Sequence, residues 1–157
     1  MTKLNPMMMV VAVTLFSLFS QPALSDYEVM HGSICHYRNP DDKNYITYLN
    51  GGVSNRDTVG ARQVVCPLAA GHEFKYDPEE MFIDHVSTVA FTCTFRHFKE
   101  FRLVQSITAT IPAAPAGAAR AFPGIAGITP NALSSFELVC NLPANNAARI
   151  VAIETII

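Results

Sequence analysis

Apolar and polar residues alternate along 89–98: Val89, Phe91, Cys93 and Phe95 fall on one side, and Ala90, Thr92, Thr94 and Arg96 on the other. A period of two is the mark of a β-strand with one buried face, because successive side chains point to opposite faces of a sheet. A second alternating run follows at 101–111. Phe101, Leu103, Ile107, Ala109 and Ile111 share its apolar side, interrupted only by Gln105, while Arg102, Ser106, Thr108 and Thr110 share the other. The two runs predict a hairpin that turns near Phe98, Lys99 and Glu100. Shorter β-forming stretches lie at 33–37, 45–49, 62–68 and 81–86, and another strand at 135–142 turns Phe136, Leu138, Cys140 and Leu142 inward. The closing stretch, 149–157, is apolar on both faces. It predicts either a strand in the middle of a sheet or an edge that supports self-association. About eight strands and no helix of ordinary length predict an all-β fold, an antiparallel β-sandwich.

Turn chemistry separates these runs. Asn39, Pro40, Asp41 and Asp42 read as one turn, and Asn50, Gly51 and Gly52 as another that needs positive φ. Asp77, Pro78, Glu79 and Glu80 suit the first turn of a helix, where proline and acids are favoured. Segment 112–131 breaks the alternation with four prolines, three glycines, seven alanines and one charge, Arg120. A helical turn or two at 116–122 and a short edge strand at 125–128 are expected within it. Long loops on rigid sheets carry recognition. Phe122, Ile125 and Ile128 are therefore the apolar residues this segment would present, or else tuck beneath itself to close one end of the core. An eight-stranded outer-membrane barrel would alternate in the same way. Cysteines flanked by phenylalanines, Pro67 and Pro143, and the lack of a terminal aromatic residue weigh against it.

The N-terminus is of another kind. Lys3 precedes an uncharged run at 7–19, the length of a signal-peptide apolar region and short of the roughly 20 residues of a membrane span. With Ala23, Leu24 and Ser25 as the peptidase site, 1–25 reads as a signal peptide and 26–157 as a single β-sandwich domain that is secreted or periplasmic. Loss of Lys3 leaves ten basic against thirteen acidic residues, a net charge near −3. That balance argues against nucleic acid and against anionic membrane as partners, so no membrane contact is expected after signal cleavage.

All four cysteines, Cys35, Cys66, Cys93 and Cys140, fall in the exported part, which reads as two disulfides. Of the three connectivities, Cys35–Cys66 with Cys93–Cys140 nests each bridge within one half of the chain; the other two stay open. Each bridge would close 30 to 50 residues and contribute roughly 3–4 kcal/mol. Zinc is the competing reading, but no Cys-x-x-Cys spacing occurs.

Candidate chemistry is sparse. No Gly-x-Ser-x-Gly elbow marks a nucleophile, and no enzyme activity is expected. His31, His36, His72, His85 and His97 include no His-x-His pair that would share a strand face, so they read as surface or rim histidines and no metal or cofactor is assigned. Acidic and amide residues cluster at Asn39, Asp41, Asp42 and Asn44, and again at Asp77, Glu79, Glu80 and Asp84. Loop oxygens of this kind hold calcium in extracellular β-domains, although neither cluster has the spaced Asp-x-Asp-x-Asp-Gly pattern. A glycosidase carboxylate pair lacks tryptophan sugar platforms here, since the chain has no Trp. Carbohydrate binding without catalysis has a candidate platform in Tyr37, Tyr45 and Tyr48, with packing on the sheet as the plainer role for strand tyrosines.

Gly-Gly-Val-Ser-Asn55, Val-Val-Cys-Pro-Leu68, the Phe-Thr-Cys-Thr94 region and Leu-Val-Cys-Asn-Leu-Pro143 together resemble a family of small exported four-cysteine bacterial β-proteins, over residues 33–154. The shared motifs are strand ends, turns and cysteines, so the resemblance implies architecture and no activity. The expectation is a non-catalytic exported structural or protein-interaction module of the cell envelope or extracellular space. The alternative is a carbohydrate- or calcium-binding β-sandwich. Tyrosines lined up on one sheet face would favour sugar; an exposed edge strand would favour protein.

Overall fold

The computed structural model describes residues 27–68, 80–121 and 134–156. Among them are eleven strands: β1 (Tyr27–His31), β2 (His36–Tyr37), β3 (Ile46–Leu49), β4 (Gly52–Asn55), β5 (Arg62–Leu68), β6 (Glu80–Ser87), β7 (Phe91–Lys99), β8 (Arg102–Ile111), β9 (Ala114–Ala121), β10 (Ser134–Leu142) and β11 (Ala148–Ile156). Two short 3-10 turns, Gly32–Ile34 and Pro40–Asn44, join the early strands. The first sheet runs β3-β4-β11-β6-β9, with β1 also paired to β11; the second runs β2-β5-β10-β7-β8. Every pairing is antiparallel.

The core forms where the inner faces of the two sheets meet, and the period-two pattern supplies it. Met81, Ile83, His85 and Ser87 of β6 are buried, as are Phe91, Cys93, Phe95 and His97 of β7 and Phe136, Leu138, Cys140 and Leu142 of β10. Phe95 stacks on Phe136 with ring centroids 5.7 Å apart, and His97 stacks on the same ring at 4.9 Å. Stacked and edge-on aromatic pairs contribute beyond the area they bury.

Both bridges lie within the second sheet. Cys93 and Cys140 are register partners on β7 and β10, with Cα atoms 4.0 Å apart. Cys35, at the entry to β2, joins Cys66 of β5 with a Cα separation of 3.9 Å. The connectivity is the one that nests each bridge in its half of the chain. The bridges fasten neighbouring strands rather than one sheet to the other. The two-residue β2 has too little ladder to hold itself, and Cys35–Cys66 anchors it. Two buried disulfides are consistent with folding in an oxidising compartment.

Several sequence expectations change. The count rises from about eight strands to eleven because β1, β4 and β9 are paired segments without a clear alternation. The strand expected at 33–37 begins instead as a 3-10 turn closed by the Cys35 amide on the Gly32 carbonyl, leaving only His36 and Tyr37 extended. A side chain at Gly32 would collide with the Ile150 carbonyl, so the chain crosses β11 there on glycine. The helical turns expected at 116–122 are replaced over their described part by β9, which pairs with β6 at the sheet edge. Alanine's helix preference gives way to backbone pairing, and Pro115 is tolerated on an edge strand. Phe122, Ile125, Ile128, the signal segment, His72, and Asp77 and Glu79 of the second acidic cluster lie outside the described residues.

β11 lies mid-sheet. Ile150 faces Val53 of β4, Ile153 faces Met30 of β1, and both also face β6. Its two edges are occupied by the same chain, so the C-terminal strand leaves no free ladder for self-association. The apolar side expected for β8 also divides. Ala109 and Ile111 are buried and Ile107 packs on the core, but Leu103 is 53% exposed and Phe101 fully exposed. A register shift at His97/Phe98 places Gln105 opposite His97 and Leu103 opposite Phe98, leaving Val104 as the extra residue. One inserted residue turns every side chain beyond it to the other face.

Candidate functional site

Three groups of side chains have the composition of a functional site, and they differ in access. The first is inside the core. His85 is wholly buried, with Nδ1 3.0 Å from Ser87 Oγ and its ring edge-on to Phe91 at 5.4 Å. His97 Nε2 lies 3.0 Å from Ser134 Oγ. Both pairs contradict the surface or rim placement: odd positions on β6 and β7 put these histidines on the inner faces. Burial lowers the pKa of each imidazole; Asp84 opposes this slightly for His85, and Lys99 reinforces it for His97. His85 Nε2 is buried with no hydrogen-bond partner. A neutral imidazole beside a serine hydroxyl is the arrangement that activates a nucleophile, but here His85 and Ser87 are both buried, with Phe91 edge-on to the ring. His31 instead bonds the Gly51 carbonyl from an exposed position at 2.9 Å, and His36 sits exposed on β2.

The second group lines the side of the sandwich where β2 and β3 meet. Asn55 is the local anchor: its amide donates to the carbonyls of Gly60 and Leu142 at 2.9 and 3.0 Å, and its Oδ1 accepts from the Asp57 amide at 2.9 Å. Asp57 in turn accepts from the Val59 amide at 3.0 Å and from Arg62 Nε at 2.7 Å. Those two donors, the Val59 amide first, hold its carboxyl below the usual carboxylate range. Arg62 also reaches Asp42 Oδ1 at 2.8 Å and lies 4.4 Å from the centre of the Tyr45 ring. Arg38 bonds Gln63 at 3.1 Å, and Gln63 bonds Asn141 at 2.8 Å. Arg38, Asn39, Asp42, Arg62 and Gln63 border an open groove of about 460 Å³.

The structure partly assembles the three tyrosines. Tyr45 and Tyr48 are exposed on β3 and its approach, while Tyr37 packs against the core from β2. Tyr37 and Tyr48 are near enough to interact, and burial first, then Tyr37, raises the Tyr48 hydroxyl pKa. They belong to different sheets, so they form a rim and not one flat platform. Oxygens of the first acidic cluster are already used, Asp42 Oδ1 by Arg62 and Asn39 Oδ1 by the Asp41 amide at 3.2 Å. Among the described residues no three His, Cys, Asp or Glu side chains gather closely enough to hold a metal ion.

The third group was not singled out from the sequence. β8 is the last strand of its sheet and, among the described strands, pairs only with β7. Arg102, Leu103, Val104, Ser106, Thr108 and Thr110 are exposed along it. At the turn, Glu100 and Phe101 have φ of 50° and 64°. Phe101 was hidden by its place in the alternation, which assigned it to the core. The bulge that removes it has no signature in the sequence.

No protein-family model matches the chain, and no curated protein matches it. Solved structures similar to it include a Bacillus thuringiensis Cry1Da tryptic core variant, at 16% identity over 81% of this chain and 21% of that one, with a TM-score of 0.40. Another is a Podospora anserina GH26-CBM35 β-(1,4)-mannanase, at 9% identity over 84% of this chain and 28% of that one, with a TM-score of 0.38. The chain thus spans between a fifth and three tenths of these proteins. Likeness at these scores assigns nothing.

Proposed function

We propose that the protein is a non-catalytic, exported interaction module, secreted or periplasmic, that docks a protein partner along the open edge of β8. The observation that supports this is the edge itself: a ten-residue strand with exposed side chains and, among the described strands, a neighbour on one side only. Such an edge carries a row of unpaired backbone donors and acceptors, the template for strand addition by a partner. β8 has no proline, and its one charge, Arg102, lies at the first residue, leaving the remainder unguarded. Ser106→Lys with Thr108→Lys adds two charges to exposed positions. The pair should abolish capture of a partner from the producing culture while the protein keeps a cooperative thermal transition, at a melting temperature lowered by loss of the Thr94–Thr108 hydrogen bond and by a lysine facing Arg96. Capture that survives these charges would remove the edge from the interface.

A second reading, carbohydrate binding, draws support from exposed Tyr48 and from exposed Tyr45, whose ring lies against Arg62 at the border of the groove. Tyr48→Ala should then weaken retention on a glycan array without altering edge-dependent capture. Calcium draws less, because Asp42 is already paired; adding EDTA during capture tests it.

A further inference from the structure

The tip of the β7–β8 hairpin breaks three rules of β-hairpin construction at once. Both central turn residues adopt positive φ, which favours glycine and asparagine, yet they are Glu100 and Phe101. The protein's other positive-φ positions among the described residues, Asn50, Gly51, Asn145 and Asn146, follow the preference. Phe101 is fully exposed, with Leu103 at 53% and Val104 at 58% beside it. Lys99 and Arg102 are register partners, a like-charged pair facing each other across the last rung of the ladder. None of these choices helps the domain fold. Rule-breaking that coincides in one place marks function more often than accident.

We propose that this tip is a lipid-contacting finger that docks the domain on an anionic membrane surface. The proposal goes beyond the protein-docking reading of β8: it rests on the turn and on Arg102, Leu103 and Val104 at the start of the strand, whereas the docking test falls on Ser106 and Thr108. Phe101, at the apex, and Leu103 and Val104 behind it supply the apolar part that enters the headgroup boundary. Lys99 and Arg102 form a basic collar flanking the two-residue turn, one on either side of Glu100 and Phe101. Long basic side chains at that depth lay their stems along apolar groups and keep their charges among the headgroups. Arg96, three rungs back, is already paired with Glu137 at 3.1 Å, so the collar and Glu100 set the local charge, which is positive. The chain as a whole is negative. Its net charge argues against anionic membranes, but a finger reads the charge of its tip within a screening length of about 10 Å. This charge match favours a lipid surface over a protein pocket, for which a bare apolar tip would suffice.

The chain has no Trp, so Phe101→Trp places a single reporter at the apex. Its emission should shift to the blue with phosphatidylglycerol-containing vesicles and stay unshifted with pure phosphatidylcholine. In co-sedimentation of the purified, oxidised protein, Lys99→Gln and Arg102→Gln should each weaken binding to the anionic vesicles about five-fold, the worth of one basic residue near such a surface. Phe101→Gly should abolish binding while the melting temperature stays level or rises, since glycine suits that φ. Every variant carries the same N-terminus, so differences between them report the tip. Ser106→Lys with Thr108→Lys should keep vesicle binding, which separates this proposal from the edge reading. Absence of binding at low salt, equal binding to neutral vesicles, or indifference to Phe101→Gly would each overturn it. If vesicles fail but Phe101→Gly loses a captured protein, the tip belongs to the protein interface and the lipid proposal falls.

Discussion

Replacing Cys93 and Cys140 together by alanine removes the bridge between the two central strands of the second sheet. The residues are 47 apart in sequence, for which the chain-entropy treatment gives roughly 4 kcal/mol at 25 °C. Both side chains are wholly buried, and counting each lost sulfur as a methylene-sized apolar group adds about 1 kcal/mol apiece. At about 3–5 °C per kcal/mol for a domain of this size, the melting temperature should fall by about 18–30 °C. The Cys35–Cys66 bridge spans 31 residues and gives roughly 3.7 kcal/mol by the same treatment. Loop closure therefore predicts nearly equal losses for the two double variants, although one bridge is central and the other anchors an edge. Thermal unfolding followed by circular dichroism on the oxidised proteins measures both. Intact mass on the wild type should first show a loss of about 4 Da relative to the reduced chain, two hydrogens per bridge. A fall of less than about 5 °C for the Cys93/Cys140 variant would refute the reasoning, and a large inequality between the variants would show that local packing outweighs loop closure.

The remaining predictions concern the core. Phe95→Ala opens a gap against Phe136 and should cost about 3–5 kcal/mol in urea unfolding, with the lower end expected if Phe136 collapses into it. His85 and His97 have folded pKa values below the ordinary 6.5 or so. As pH falls through that ordinary value, the unfolded chain takes up protons that the folded one refuses. Stability should be level above about pH 7 and decline below about pH 6.5. Urea midpoints at several pH values test this, and His97→Gln should flatten the decline. Deleting residues 153–157 strips four of the five β11 pairings to β1 and half of those to β6, so the truncated chain should lose its cooperative unfolding transition. A folded truncated chain would mean that β11 is dispensable.

How much of this was legible beforehand depends on range. The alternation along β7, β10 and the far half of β8 marked the buried faces correctly, because period-two patterning is local and the core reads it directly. Cysteine placement was similarly readable: Cys93 and Cys140 sit on the apolar side of their strands, and the strands that carry them are neighbours. The two apolar faces of β11 correctly raised a central position as one of its alternatives.

Pairing decided the rest. An alanine-rich segment became β9 because β6 offered it an unpaired edge, an energy no local propensity contains. His85 and His97 look polar one at a time, but their odd positions on β6 and β7 turn them inward, where burial lowers their pKa. The bulge at His97/Phe98 inserts one residue into β8, and that step carries Phe101 and Leu103 from the expected core to the surface. Sequence pattern therefore determined the long alternating strands and which of their faces are apolar, since each strand's chemistry is its own. Which strands meet, in what register, and so which apolar residues are left outside, was decided by tertiary pairing, because a register shift of one residue costs little locally and reverses everything beyond it.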